Sequence, residues 1–338
     1  MARVRINSKL SFLEKAFPTP RFLTLDSFGI DISSKAVRIM KLKKFKHGLV
    51  PHIYDEVIFN QSCDLLESEE DLNRCDELRK ALDILHKKYK IQFASVSIPE
   101  RRTYIFKTYI PREALVNVAE VIKFKIEENV PLDPREVVYD YQIADKELYS
   151  NKEMVGVAVT VLPRGVMEAY SKLFDQVGII PISFESESHS ATRSMVNLKN
   201  DDSVIVIHLG NTKINVAIVE DNTVTYTTSI TVSPDDVIKD FESNEAKLMK
   251  EQLNKLLIYW FTNRHDAGDQ ERIESAIVTG VKANAPGLID FLEKGLKISV
   301  EVGNVWENCF SLDDFIPNIA HEKSLDYAVS IGLSLINK

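Results

Sequence analysis

Two stretches of this sequence put small and polar groups where a backbone turn could grip an anion. The first is Ile30-Asp31-Ile32-Ser33-Ser34-Lys35-Ala36-Val37-Arg38, and the second is Ile207-His208-Leu209-Gly210-Asn211-Thr212-Lys213-Ile214-Asn215. In each, an apolar run ends in a tight turn of small or polar residues and then resumes as an apolar strand. Successive N–H groups in such a turn can hold a phosphate without any catalytic side chain. Two ordinary β-meanders would carry the same pattern, so the turns define a place rather than a reaction.

The surroundings repeat as well. Each resumed strand reaches a polar hairpin turn, at 43–48 and at 220–222, and a third strand follows at 50–59 and 223–232. An internal duplication of this kind predicts two stacked lobes whose turns face a shared cleft.

Composition narrows the class. A chain of 338 residues is long enough for two domains and a sizeable core. Apolar residues at 44% and charged residues at 27% describe an ordinary soluble protein. The net charge of −8 excludes a general nucleic-acid binder, because the phosphate backbone rewards excess Lys and Arg. Cys63, Cys75 and Cys309 are odd in number and outside any CxxC spacing, which predicts reduced thiols, no disulfide framework and no zinc site. His47 and His52 straddle a hairpin turn and read as exposed rather than metal-bound. No apolar run approaches the roughly 20 residues that span a bilayer. Glu14 and Lys15 interrupt the stretch 10–17, so a signal peptide is not expected and the chain reads as cytoplasmic. Two basic regions stand out: the segment 1–21, with Leu10, Leu13 and Phe17 at helical spacing, and the first hairpin with Lys35, Arg38, Lys41, Lys43, Lys44 and Lys46. Both read as solvated, though such patches also suit anionic headgroups.

Between the repeats the periodicities alternate. After the first-lobe segment 22–91, with an acidic linker at 67–71 and a helix burying Leu78, Ala81, Leu82 and Leu85, comes a compact α+β unit at 92–146. It holds strands at 92–98, 103–110 and 137–143, and a helix that opens at Pro111 and whose apolar face is Leu115, Val118, Ala119, Ile122 and Ile126. The first lobe resumes over 147–198, with an apolar strand at 154–162, a helix from Pro163 to Gly178, and a polar helix at 185–197. The second lobe begins at 199–232. A stretch at 233–271 ends in a long helix burying Met249, Leu253, Leu256, Leu257 and Trp260. The remainder, 272–338, reads as a strand into Gly280, a helix ending at Gly295, a short strand and a closing helix. Strands and helices mixed in two halves predict an α/β protein.

Together these segments resemble the actin-like ATPase superfamily, and most closely the PilM-type proteins of type IV pilus assembly. Gly29-Ile30-Asp31-Ile32 with Ser33-Ser34 resembles the first phosphate loop, normally G-[IL]-D-I-G-S-S. Val130-Pro131-Leu132-Asp133, followed by Glu136-Val137-Val138-Tyr139-Asp140-Tyr141, is similar to the family's I-P-F-P…E-V-V-x-D-Y-Q. That motif belongs to the inserted subdomain of PilM-like and cell-division FtsA-like proteins. Gly178-Ile179-Ile180-Pro181 leading to Glu185, Glu187 and Arg193 resembles the connecting helix, and Thr279-Gly280 with Tyr327 to Leu333 the nucleotide-proximal C-terminal part. The resemblance implies a two-lobed actin-like fold with an inserted α+β subdomain.

It also implies site residues. Asp31 would hold a magnesium ion through water, and Glu187 would orient the attacking water. Ser33, Ser34, Lys35, His208, Gly210, Asn211, Thr212 and Gly280 would line the ATP. Four departures stand against that cofactor. His208 replaces the aspartate of the second loop, Ser33 replaces a glycine, and Val281-Lys282 follow Gly280 where the family has further glycines. The subdomain that clamps the base shrinks to about 233–244, giving a reduced fourth subdomain. The expectation is therefore a scaffold with weak or lost nucleotide binding, not an efficient enzyme. It would bind the cytoplasmic tail of a PilN-type inner-membrane protein in a groove between the first lobe and the inserted unit. Tyr104, Phe106 and Tyr109 are the candidate contacts. Other platform proteins would be further partners, and the membrane would be reached only through them. Two further readings are an active actin-like ATPase or kinase, which needs the carboxylate that His208 replaces, and an FtsA-like filament protein. The second uses an amphipathic helix beyond the fold, and here the sequence stops at Lys338 after the last fold helix. A related secretion platform is a close variant of the pilus reading.

Overall fold

The computed structural model describes residues 26–46, 48–60, 66, 68–143, 153–197, 203–265 and 273–336. The basic segment 1–21 and His47 lie outside them. The first lobe opens with β1 (Ser27–Ile32), β2 (Ala36–Phe45) and β3 (Gly48–Ile58), followed by α1 (Asp76–Tyr89) and β4 (Phe93–Ile98). Next come β5 (Tyr104–Pro111), α2 (Val118–Asn129), β6 (Val137–Ile143) and β7 (Met154–Pro163). The lobe is completed by α3 (Arg164–Val177), β8 (Ile180–Ser186) and α4 (Glu187–Met195). The second lobe runs β9 (Val204–Leu209), β10 (Ile214–Glu220), β11 (Thr223–Ile230), α5 (Pro234–Lys239), α6 (Asn244–His265), β12 (Ser275–Gly280), α7 (Leu288–Leu296) and β13 (Ser299–Val302). It closes with α8 (His321–Ser324) and α9 (Ala328–Ser334).

The two main sheets have one topology. The first is ordered β3-β2-β1-β4-β8 and the second β11-β10-β9-β12-β13, each with five strands. In both, the three meander strands are antiparallel and the last two join in parallel. The repeat legible over three strands thus continues through the whole sheet. Register makes it residue-specific: Asp31 pairs with Arg38 across the first hairpin, and His208 with Asn215 across the second.

Two strand assignments are corrected. The strand at 92–98, expected in the inserted unit, is β4 and pairs in parallel with β1 and β8. The strand at 154–162, expected in the lobe, is the centre of a separate antiparallel sheet ordered β5-β7-β6. Its continuous burial does not come from a parallel sheet. Val155, Val157, Val159 and Val161 pack on Ile122 and Ile126 of α2, while Leu162 on the other face joins the first-lobe core. Periodicity reports burial, not the partner that provides it. The inserted sheet is also tied to the second lobe, since Ile105 joins that core and Lys107 pairs with Glu220 at 2.8 Å. The Trp260 indole N–H donates to the same Glu220 carboxylate at 2.6 Å.

Local signals place most helices. Pro163 precedes α3, whose core stripe is Val166, Ala169, Tyr170, Leu173, Phe174 and Val177, and Gly178 ends it at φ 80°. The connecting helix starts later than expected, because Ser186 caps it by accepting from the His189 N–H; Glu185 remains in β8. Helix α7 runs past Gly295 to Leu296 and ends on Lys297 at φ 58°. Helices α4 and α9 meet between the lobes on small side chains, where a Cβ on Gly332 would lie 1.7 Å from the Ser190 carbonyl oxygen. The expected set of reduced cysteines is corrected too: Cys75 is disulfide-bonded, whereas Cys309 is a buried free thiol. Sequence spacing tests for metal motifs and does not report which thiols the fold brings together.

Candidate functional site

The β1–β2 and β9–β10 turns face each other across the cleft, built alike. The Ser33 N–H donates to the Ala36 carbonyl at 2.9 Å, and the Gly210 N–H to the Lys213 carbonyl at 2.9 Å. Across the gap, Asn211 Nδ2 donates to Ser33 Oγ at 3.3 Å, and Ser34 Oγ lies 3.5 Å from Thr212 Oγ1. Of the residues named from the sequence, Asp31, Ser33, Ser34, Glu187, His208, Gly210, Asn211 and Thr212 come together here. Lys35 is exposed at the turn, where its carbonyl accepts from the Phe59 N–H at 2.9 Å. Gly280 lies under His208: a Cβ there would meet the imidazole Cδ2 at 2.7 Å.

The carboxylates are buried, and those of Asp31 and Glu187 are held by partners. Asp31 Oδ1 accepts from Ser97 Oγ at 3.0 Å, and Oδ2 lies 3.8 Å from the Arg38 guanidinium. Burial pushes Asp31 up to about 7; Arg38 opposes the rise, and nearby Glu187 adds to it. Glu187 Oε2 lies 3.2 Å from Lys213 Nζ, receives Asn215 Nδ2, and accepts from the Glu100 N–H at 3.4 Å. Burial alone would raise Glu187, but Lys213 and these donors outweigh it and hold the carboxyl below its usual range. Glu100, which accepts from the Ser188 N–H at 3.0 Å, is raised by burial. Burial lowers His208, so its ring is neutral at pH 7. Ser97, Lys213 and Asn215 carry no site role in the sequence reading, and Arg38, expected there in a solvated basic patch, is instead buried beside Asp31. Arg38 was within reach, because a tight turn at 33–35 already sets Arg38 opposite Asp31.

These residues depart from the set that the resemblance expects around a magnesium nucleotide. The second lobe offers an imidazole where the resemblance expects a carboxylate, and the Asp31 carboxylate is already engaged by Ser97 and Arg38. A Cβ on Gly280 would meet the Leu209 carbonyl oxygen at 2.3 Å before the His208 ring, and the two turns touch. Among the described residues, no group of three or more His, Cys, Asp or Glu side chains is placed to hold a metal ion. Lys282, set beside Gly280, pairs with Asp235.

A groove lies nearby, between the inserted unit and the first lobe. It is a cavity of about 100 Å³ lined by Asp140, Gln142, Thr160, Glu185, His189 and Arg193, among others. Arg193 forks onto Glu185 at 2.6 and 2.9 Å. β6 and β8, which contribute to the groove, are edge strands of their sheets. Tyr104 and Phe106 are half-buried on β5, packed against the core of the inserted unit, and Tyr109 is 37% exposed. All three lie beyond β7 from this groove.

Comparison with known families decides the lineage. Residues 29–232, more than half of the chain, match the family described as type IV pilus assembly protein PilM. The chain belongs to the PilM family. Among solved structures it is similar to a PilM-PilN type IV pilus biogenesis complex, with a TM-score of 0.74 at 15% identity, covering 92% of this chain and 98% of that one. The fold of this PilM-family chain is therefore actin-like. Two looser likenesses are the cytoplasmic domain of EpsL, an inner-membrane component of the type II secretion system of Vibrio cholerae, and the ethanolamine utilization protein EutJ of Carboxydothermus hydrogenoformans. The first has a TM-score of 0.45 at 9% identity and covers 75% and 81% of the two chains. The second has a TM-score of 0.47 at 12% identity and covers 91% and 89%. No curated protein sequence matches. Among the described residues, no helix is long and apolar enough to cross a membrane.

Proposed function

We propose that this PilM-family protein is a non-hydrolysing scaffold of the type IV pilus assembly platform, or of a related secretion platform. It holds the cytoplasmic tail of a PilN-type membrane protein and reaches the inner membrane through that partner. The observation that carries the first half is His208, a ring held below its usual pKa by burial and packed beside Gly280, at the position where the resemblance expects a carboxylate. An extended tail fits the groove between β6 and β8, because unpaired strand edges offer main-chain hydrogen bonds to an incoming segment.

Calorimetry with Mg-ATP is expected to show no binding tighter than about 0.1 mM, since a lost charged contact alone costs about ten- to a hundredfold. Phosphate release over hours is expected at background. His208→Asp restores the second carboxylate and should raise Mg-ATP affinity, while lowering stability in EDTA by about 2 kcal/mol through an added buried charge. Turnover by the wild-type chain that disappears in Glu187→Ala would overturn the scaffold reading. For the tail, a peptide of the partner's cytoplasmic segment should bind at micromolar strength. Thr160→Arg should weaken it at least about tenfold, with the thermal midpoint little changed.

A further inference from the structure

The contacts across the cleft connect separate lobes. Ser33, Ser34, Glu100 and Glu187 belong to the first-lobe side, whereas Asn211, Thr212, Lys213 and Asn215 belong to the β9–β10 hairpin of the second. Three donors converge on one atom, Glu187 Oε2: the Lys213 ammonium at 3.2 Å, the Asn215 amide, and the Glu100 N–H at 3.4 Å. Two of the three come from the opposite lobe. Asn215 is itself aimed, because its Oδ1 accepts from Ser229 Oγ at 2.8 Å. The two turns add Asn211 to Ser33 and Ser34 to Thr212.

We propose that Lys213, aided by Asn215 and the paired turns, is a built-in latch that clamps Glu187 and keeps the two lobes closed with no nucleotide present. A carboxylate whose side chain is only 6% exposed is costly without a counter-ion. In a nucleotide-binding cleft a metal and phosphates can bridge the two sides. Here a cation tethered to the second lobe does so permanently, and no ligand concentration enters the equilibrium. The duplication shows that the cation is an addition to one lobe. At the fourth residue of the Ser33-to-Ala36 turn, the equivalent of Lys213 is Ala36, a buried methyl group. The side chain of Lys213 is 22% exposed, so its stem reaches inward while the ammonium meets the buried acid. The latch goes beyond the scaffold reading and does not depend on tail binding.

Ser34 and Thr212 provide the gauge. The full-length chain carrying Ser34→Cys and Thr212→Cys should form the cross-lobe disulfide rapidly under mild oxidation in nucleotide-free buffer. Lys213→Ala in that background should slow cross-linking at least about tenfold, as expected for a buried carboxylate stripped of its cation. Lys213→Glu should slow it likewise, and adding Glu187→Lys should recover much of the rate. A cross-link that forms only with Mg-ATP would overturn the proposal. So would a rate indifferent to Lys213, with circular dichroism showing the variants folded. If Lys213→Ala does not fold, Asn215→Ser gives the same reading: no change in rate with that variant would sink the latch.

Discussion

The two lobes share a backbone and differ in the three residues that meet at the cleft. In the first, Asp31 is flanked by Arg38 on β2 and by Ser97 on β4, and each of its oxygens has a partner. In the second, the equivalent positions are His208, Asn215 and Thr279. There Asn215 turns away to Glu187, while His208 Nδ1 and Thr279 Oγ1 are buried with no hydrogen-bond partner. Identical register therefore supports a satisfied polar cluster on one side and an orphaned one on the other. Strand pairing sets where side chains meet; their identities decide whether the meeting is a site.

The largest test makes the lobes alike where they differ most in packing. The position of Gly29 on β1 is held by Val206 on β9. A Cβ on Gly29 would lie 2.1 Å from the Ser330 carbonyl oxygen and 2.8 Å from the Ser334 nitrogen of α9. Gly29→Val should cost about 3 kcal/mol or more in urea unfolding. A loss below about 1 kcal/mol would show that the closing helix does not need that approach.

Next in size is an opposition in pH dependence. Asp31, raised in the folded state from 3.8 to about 7, holds its proton more tightly than the unfolded chain does. Its contribution is full below pH 4 and is lost as pH rises toward 7, by at most about 4 kcal/mol. Glu100, also raised, acts in the same direction. His208 is lowered, so its contribution is present above the unfolded value of 6.5 and is lost as pH falls. Urea midpoints between pH 5 and 8 should therefore tilt one way in Asp31→Asn and the other in His208→Gln, relative to wild type. An unchanged slope in Asp31→Asn would count against a protonated Asp31.

The smallest effect separates the satisfied cluster from the orphaned one. Ser97→Ala strips a donor from Asp31 and an acceptor from the Ile32 N–H, and should cost about 1–2 kcal/mol. Thr279→Val removes a hydroxyl that has no partner, and should be neutral or stabilising by up to about 1 kcal/mol. Equal costs in chemical denaturation would erase the distinction.

The sequence by itself determined the duplication and the family, and it marked an inserted unit whose strands the fold then reassigned. Apolar runs ending in small-residue turns recur with the same internal spacing, and hairpins with tight turns leave little freedom in register. That spacing was enough to bring Asp31, Ser33, Ser34, His208, Gly210, Asn211 and Thr212 to one cleft. It could not say which sheet a buried strand joins, so β4 and β7 were exchanged, because burial looks the same whichever layer provides it. Nor could it show that Lys213 reaches Glu187 or that Asn215 turns toward the opposite lobe, since both contacts cross between segments far apart in the chain. The His208 substitution was visible as a lost carboxylate. Only the folded chain showed its ring lying on Gly280, its nitrogen without a partner, and the acids beside it answered by the protein's own cations.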